Sequence, residues 1–125
     1  MKKSPNTTTK SCCALSIVIP VYRSAQILPK LVEEILSEIK KIELQNDFEL
    51  LLICDGSKDD SWQVIKRLAV LNPSIKGTLL RKNYGQHNAI MVGLRQCLGA
   101  VTVIMDDDMQ HSPKYISKYI QVLAR

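Results

Sequence analysis

No apolar stretch in this sequence reaches the roughly 18 residues that a membrane-spanning helix requires, so no segment is expected to cross a bilayer. Lys2 and Lys3 lead into a polar run instead of an apolar h-region, which argues against a secretory signal peptide. Cysteine is present without pattern: Cys12, Cys13, Cys54 and Cys97 show no C-x-x-C spacing and have no neighbouring histidine to complete a zinc site. Reduced thiols in a cytosolic protein are the expectation. Glycine is absent where phosphate loops need it. There is no G-x-G-x-x-G after the first apolar run and no G-x-x-x-x-G-K-[ST] anywhere, which excludes a dinucleotide fingerprint and a P-loop. Internal repeats and known DNA- or RNA-binding motifs are missing too. The 17 Lys and Arg exceed the 12 Asp and Glu to give a net charge of +5, but part of that excess sits in the opening "MKKSPNTTTK". Dispersed charge is the better reading, and no nucleic-acid partner is expected.

What is present is the material for one domain in 125 residues. Residues 1–13 are polar, with too few apolar groups to offset ordering entropy, and are expected to form a flexible tail ahead of a domain over 14–125. Four apolar runs follow: "ALSIVIPVY", "LLICDG" preceded by "DFEL", the weaker "IKGTLLR", and "AVTVIMD". Between them apolar residues recur at helical spacing. The first such segment carries Ile27, Leu31, Ile35 and Ile39, and the second Val64, Ile65, Leu68 and Leu71. The third carries Ala89, Met91, Val92, Leu94 and Leu98. A fourth helix is predicted from Ser112 as N-cap, with Pro113 in the first turn. Strict alternation of strand and helix predicts an α/β fold with a parallel sheet and helices on both faces. Ligands of such sheets bind outside the carboxyl ends of the strands. Those ends carry Pro20, Val21 and Tyr22, then Asp55, Gly56 and Ser57, then Arg81, Lys82 and Asn83, and last Asp106, Asp107 and Asp108.

The stretch "VIMDDDMQHSP" runs from apolar strand into three consecutive carboxylates. Extended backbone would turn Asp106 and Asp108 to one side and Asp107 to the other. Two carboxylates at a strand end suit Mg²⁺ or Mn²⁺, which take few protein oxygens and complete their shell with water and substrate phosphates; Gln110 would add a carbonyl oxygen. The bland alternative is a solvated turn or helix cap, although Ser112 and Pro113 already supply the helix start. In "ICDGSKDDS", Asp55 is placed to accept a hydrogen bond from a ring N–H, while an Asx turn or an N-cap by Ser57 or Asp59 is the alternative. In "RKNYGQHNAIMVGL", Gly85 allows a ligand close to the backbone or simply serves the turn. His87 and His111 lack ligand spacing and read as surface or helix-start residues, and Cys54 and Met105 as core.

Taken together, "LSIVIPVYRSAQILPKLVEEI", "FELLLICDGSKDDS", "LLRKNYGQHNAIMVGL" and "VIMDDDMQHSP" resemble, in order, the opening strand and helix, nucleotide-binding turn, third crossover and D-x-D region of family 2 glycosyltransferases. The last two are most similar to the branch that transfers sugars to polyprenyl phosphates. The resemblance implies a Rossmann-like GT-A fold, a nucleotide-diphosphate sugar donor and Mg²⁺ or Mn²⁺. It places Pro20, Val21, Tyr22, Ile53, Asp55, Gly85, Gln86, Asp106 and Asp107 at the donor nucleotide, and Asp106, Asp108 and Gln110 at the metal. It implies a lipid-phosphate acceptor and a cytoplasmic protein working at the cytoplasmic face of a membrane, with no catalytic base assigned. Alternatives are a non-catalytic binding module on the same fold, and a nucleotidyltransferase, which lacks its Gly-rich loop here. Two residues depart from the family pattern: Cys54 stands where an Asp is common, and Ser24 where the polyprenyl branch often has an acid. Family members continue past the D-x-D helix, so this chain is expected to be the N-terminal donor-binding part of a truncated sheet, with self-association through the sheet edge.

Overall fold

The computed structural model describes residues 13–56 and 58–106. The elements alternate as β1 (Cys13–Val21), α1 (Leu28–Lys41), β2 (Phe48–Cys54), α2 (Ser61–Leu71), β3 (Ile75–Leu79), α3 (Gln86–Gln96) and β4 (Gly99–Ile104). Every expected strand and the first three expected helices are present. β1 starts at Cys13, one residue before the expected domain boundary. The helix expected from Ser112 lies outside the described residues.

The strands form one parallel sheet in the order β3-β2-β1-β4. The chain steps outward from β1 to β2 to β3, and α3 then carries it back past both to β4 on the other side of β1. The order reverses between β1 and β4, which makes their carboxyl ends the place where such sheets open a crevice.

Burial follows from strand parity. Leu15, Ile17, Ile19 and Val21 of β1 join Leu50, Leu52 and Cys54 of β2 in one core with α1 and α2. Val18, Leu51 and Ile53 point to the opposite face and pack with Ala89 of α3. Helices therefore cover both faces, and both central strands are apolar nearly throughout. α1 supplies Leu28, Leu31, Val32, Ile35 and Ile39 at helical spacing. Gly93 brings α3 down onto the sheet, since a Cβ there would sit 2.4 Å from Val18 Cγ1. Four residues expected on packed helix faces are exposed: Ile27, Leu71, Met91 and Leu98. Ile27 is the residue before α1, Leu71 ends α2, Leu98 lies beyond α3, and Met91 is on the far side of α3 from Ala89 and Gly93. Three thus lie at or beyond a helix end, and Met91 lies where the stripe turns away from the sheet.

One charge enters the core. Glu49, within the β2 run, is 2% exposed. Its Oε2 accepts hydrogen bonds from the Ser16 hydroxyl and the Leu98 N–H, and its Oε1 pairs with Lys76 Nζ at 3.0 Å. Ser16 Oγ in turn accepts from the Gly99 N–H at 2.7 Å. Burial pushes the Glu49 carboxyl up, but the hydrogen bonds from Ser16, Leu98 and Lys76 and the Lys76 charge outweigh it and hold the group below the usual carboxylate range. The network fastens the turn between α3 and β4 to the amino ends of β1 and β2.

Candidate functional site

At the opposite end of the sheet, the carboxyl ends of β1, β2 and β4 and the loop after β3 surround a cleft of about 360 Å³. Its lining is Pro20, Val21, Tyr22, Asp55, Asn83, Gly85, Gln86 and Asp106. Small-molecule sites occupy roughly 300–1,000 Å³, so the volume suits part or all of a nucleotide. Polarity is concentrated in two carboxylates and two side-chain amides.

Asp55 follows β2 directly and is 3% exposed. Its N–H donates to the Val21 carbonyl at 2.8 Å, which continues the β1–β2 ladder by one residue. Its Oδ1 accepts from the Tyr84 N–H at 2.9 Å and its Oδ2 from the Gly85 N–H at 3.1 Å. A carboxylate has about four acceptor sites, so these two bonds leave capacity for a ligand N–H from the cleft.

The loop it holds depends on two glycines. Gly56 has φ +67°, and a Cβ on it would lie 2.3 Å from the Lys82 carbonyl carbon, so the two loops touch backbone to backbone. Gly85 has φ +100° with no atom within 4 Å of a would-be Cβ. There the left-handed backbone requires glycine, and the space beside it belongs to the cleft. Asn83 Oδ1 accepts from the Gly85 N–H at 2.9 Å, an Asx turn that sets the loop's curvature. Gln86, the first residue of α3, donates from Nε2 to Asp106 Oδ1 at 3.0 Å. The Arg23 guanidinium stands 5.3 Å from the Tyr22 ring centre, and Lys82 Nζ 5.9 Å from that of Tyr84.

Seven expected site residues thus meet in one cleft: Pro20, Val21, Tyr22, Asp55, Gly85, Gln86 and Asp106. Ile53 does not. Its side chain is fully buried and packs with Val18, Leu51 and Ala89, because α3 covers that face of β2 before the cleft begins. Asn83 also lines the cleft, although the resemblance implies no role for it; its position at a strand end, two residues before a glycine, is the signal that marks it. Asp107, Asp108 and Gln110 lie outside the described residues. Of the expected metal ligands only Asp106 is described, and among the described residues no three His, Cys, Asp or Glu side chains converge. A carboxylate facing an open polar cleft is a donor type that fits a hard divalent cation sharing its shell with phosphates.

Neither departure from the family pattern reaches the cleft lining. Cys54 faces the first core. Ser24 is buried, donating its N–H to Ser61 Oγ at 2.9 Å and its hydroxyl to the Tyr22 carbonyl at 3.0 Å. Of the alternatives for the turn before α2, Asp59 accepts the Ser61 N–H at 3.0 Å, while Ser57 lies outside the described residues. His87 is exposed at the start of α3 and Met105 packs in the core.

Residues 16–125 match the family described as Glycosyl transferase family 2. An undecaprenyl-phosphate 4-deoxy-4-formamido-L-arabinose transferase of Pseudomonas syringae pv. syringae is 40% identical over 109 residues, covering 86% of this chain and 32% of its own length. One of the same name from Sodalis glossinidius is 38% identical over 120 residues, covering 95% of this chain and 36% of its own. The chain thus spans about a third of the length of these relatives. Among solved structures, the mannosyltransferase PcManGT from Pyrobaculum calidifontis, in complex with GDP-Man and Mn²⁺, superposes with a TM-score of 0.74 at 20% identity, covering 94% of this chain and 34% of that one. S. aureus TarS 1–349 in complex with UDP gives 0.68 at 21% identity, over 89% of this chain and 32% of that one. These likenesses establish the fold, a parallel GT-A sheet with its helices. No helix among the described residues is long and apolar enough to cross a membrane.

Proposed function

This chain belongs to glycosyl transferase family 2, and from that premise we propose that it carries the donor-binding part of an enzyme that moves a sugar from a nucleotide diphosphate to a polyprenyl phosphate at the cytoplasmic face of a membrane. The observation that carries this reading is the cleft itself. Residues far apart in sequence, singled out for the nucleotide, line one crevice at the switch point of the sheet.

Each has a chemical task in this reading. Pro20, Val21 and Tyr22 form the wall for the base, and Asp55 accepts its ring N–H with the acceptor capacity left by the loop amides. Gly85 admits the nucleoside to the backbone, and Asp106 with Asp107 serves the ribose and diphosphate. Mg²⁺ or Mn²⁺, held by Asp106 and Asp108 with Gln110, would supply positive charge to the leaving diphosphate. A lipid-phosphate acceptor is already anionic at neutral pH, so its oxygen attacks the anomeric carbon without needing a protein base. The P. calidifontis neighbour's complex with GDP-Man and Mn²⁺ and the names of the undecaprenyl-phosphate relatives support this assignment.

Thermal unfolding of the chain with uridine or guanosine diphosphate, in Mn²⁺ or chelator, tests it. At one hundred times its dissociation constant a ligand stabilises by about 2.7 kcal/mol, a shift of several degrees for a domain of this size. The expected result is a Mn²⁺-dependent rise in Tm with one of the two nucleotides, reduced in Asp106→Ala. A cooperative transition that neither nucleotide moves would sink the reading.

A further inference from the structure

We propose that the outer face of α2, which carries Lys66, Arg67, Val70 and Leu71, docks on an anionic lipid surface. The donor-site reading puts the enzyme at a membrane without assigning a surface to that contact; the inference rests on that location and on nothing in the cleft.

Charge is the first argument. From Ser61 to Met105 the sequence holds no Asp or Glu against six Lys and Arg, whereas residues 13–60 hold nine acids and five Lys and Arg. The positive excess that reads as dispersed over the whole chain is thus segregated along it, and α2 opens the acid-free part. The nearest acids in sequence, Asp59 and Asp60, precede the helix at the cleft end of the sheet, where Asp59 accepts the Ser61 N–H. Lys76 of β3 is paired with Glu49, but among the described residues Lys66 and Arg67 have no ion-pair partner.

The second argument is the apolar pair beside those cations. Val70 is 84% exposed and Leu71 79%, while no other large apolar side chain among the described residues exceeds 48%. With Gln63, Lys66 and Arg67 they line one shallow recess. These positions form a single helical stripe, opposite the one on which Ser61, Val64 and Ile65 are buried. Two cations one turn ahead of two exposed apolar residues is the composition of a helix lying in a membrane interface. The apolar side chains enter the acyl boundary, and the long Lys and Arg side chains reach the lipid phosphates. A nucleic-acid backbone would take the cations and leave the apolar pair in water. The crossover from β2 to β3 runs α2 back along the sheet from the cleft end. A membrane on its outer face therefore lies along the strands, and the crevice opens parallel to the bilayer surface, the plane in which lipid phosphates lie.

The test sediments the chain with vesicles of phosphatidylcholine, with and without phosphatidylglycerol, at low salt. Wild type should bind the vesicles containing phosphatidylglycerol and not those of phosphatidylcholine alone. One Lys or Arg at an anionic surface is worth roughly fivefold in partition, so Arg67→Gln should lose about that factor. Arg95→Gln removes the same charge from α3, on the opposite face of the sheet, and should lose none. Val70→Ser/Leu71→Ser keeps the charge and should lose about tenfold or more, because both side chains then stay in water. Every substituted position is exposed, so Tm should not change. Wild type that ignores anionic vesicles overturns the inference, as does equal binding to both kinds of vesicle. Equal losses in Arg67→Gln and Arg95→Gln reduce the contact to net charge, and binding that the apolar variant leaves intact reduces it to a site for any polyanion; either result overturns it. A dimer in solution that Val70→Ser/Leu71→Ser disperses, without vesicle binding, assigns the face to a second copy and overturns it too. Vesicle binding needs neither nucleotide nor metal, so its failure leaves the donor-site reading standing, and a failure to bind nucleotide leaves the sedimentation result unaffected.

Discussion

Two buried acids at the ends of one strand hold α3 in place. Glu49 and Asp55 share a face of the β2 line. Glu49 accepts the Leu98 N–H just after α3, and Asp55 accepts the Tyr84 and Gly85 N–H groups just before it. Removing Glu49 orphans the Leu98 N–H and the Ser16 hydroxyl, and removing Asp55 orphans the Tyr84 N–H while Gly85 keeps Asn83, at about 1–3 kcal/mol for each donor left buried and unsatisfied. Glu49→Ala is therefore expected to lower the free energy of unfolding in urea by at least that amount. The pH dependence has a definite sign. Because the folded-state carboxyl of Glu49 is held below its ordinary value, its contribution is fully present above the unfolded pKa, about 4.3, and is lost as pH falls through the folded value. Urea midpoints of wild type should drop more steeply below about pH 5 than those of Glu49→Gln, whose amide does not titrate. Equal acid limbs in the two proteins would refute the assignment. Glu49 stands out in the sequence as a charge inside an apolar run, but its partners Ser16, Lys76 and Leu98 come from three other parts of the chain, and no spacing rule connects them.

At the scale of elements, the apolar runs and helical spacings located all seven described elements, and turn residues located the site edge. Asp55 and Ile53 share a face of β2, and the resemblance puts both at the nucleotide; the Asp55 side chain lines the cleft, whereas that of Ile53 lies under α3. Sequence parity tells which face a side chain takes and not how far along the strand a helix covers it. α3 reaches over Ile53 through Ala89 and stops short of Asp55. Ile53→Val should accordingly cost about 0.5–1.5 kcal/mol of stability and leave nucleotide affinity unchanged, measured by denaturation and by titration calorimetry. A selective loss of affinity at unchanged stability would return Ile53 to the ligand. Asn83 escaped assignment for a related reason: its Asx turn is local and legible, whereas its place in the cleft depends on Gly56 packing against Lys82 from another loop.

Across the whole molecule, cover is uneven. From Leu15 to Val21, β1 is buried throughout, and so is all of β2, while β3 and β4 are edge strands among the described residues and partly exposed along their length. Native-state hydrogen exchange should find the slowest amides in β1 and β2, opening only with global unfolding, and faster exchange in β3. Uniform protection across the sheet would contradict that picture. The fastening of β4 at its start has a geometric consequence at the far pole. Gly99 is fixed to Ser16 Oγ, and from there β4 runs as a ruler of roughly 23 Å to Asp106, at about 3.3 Å per residue. A slip of one graduation would swing Asp106 to the opposite side of the sheet and bring Met105 to the cleft in its place. The hydroxyl of Ser16, at the end of the sheet remote from the cleft, is the zero mark from which the position of that carboxylate is measured.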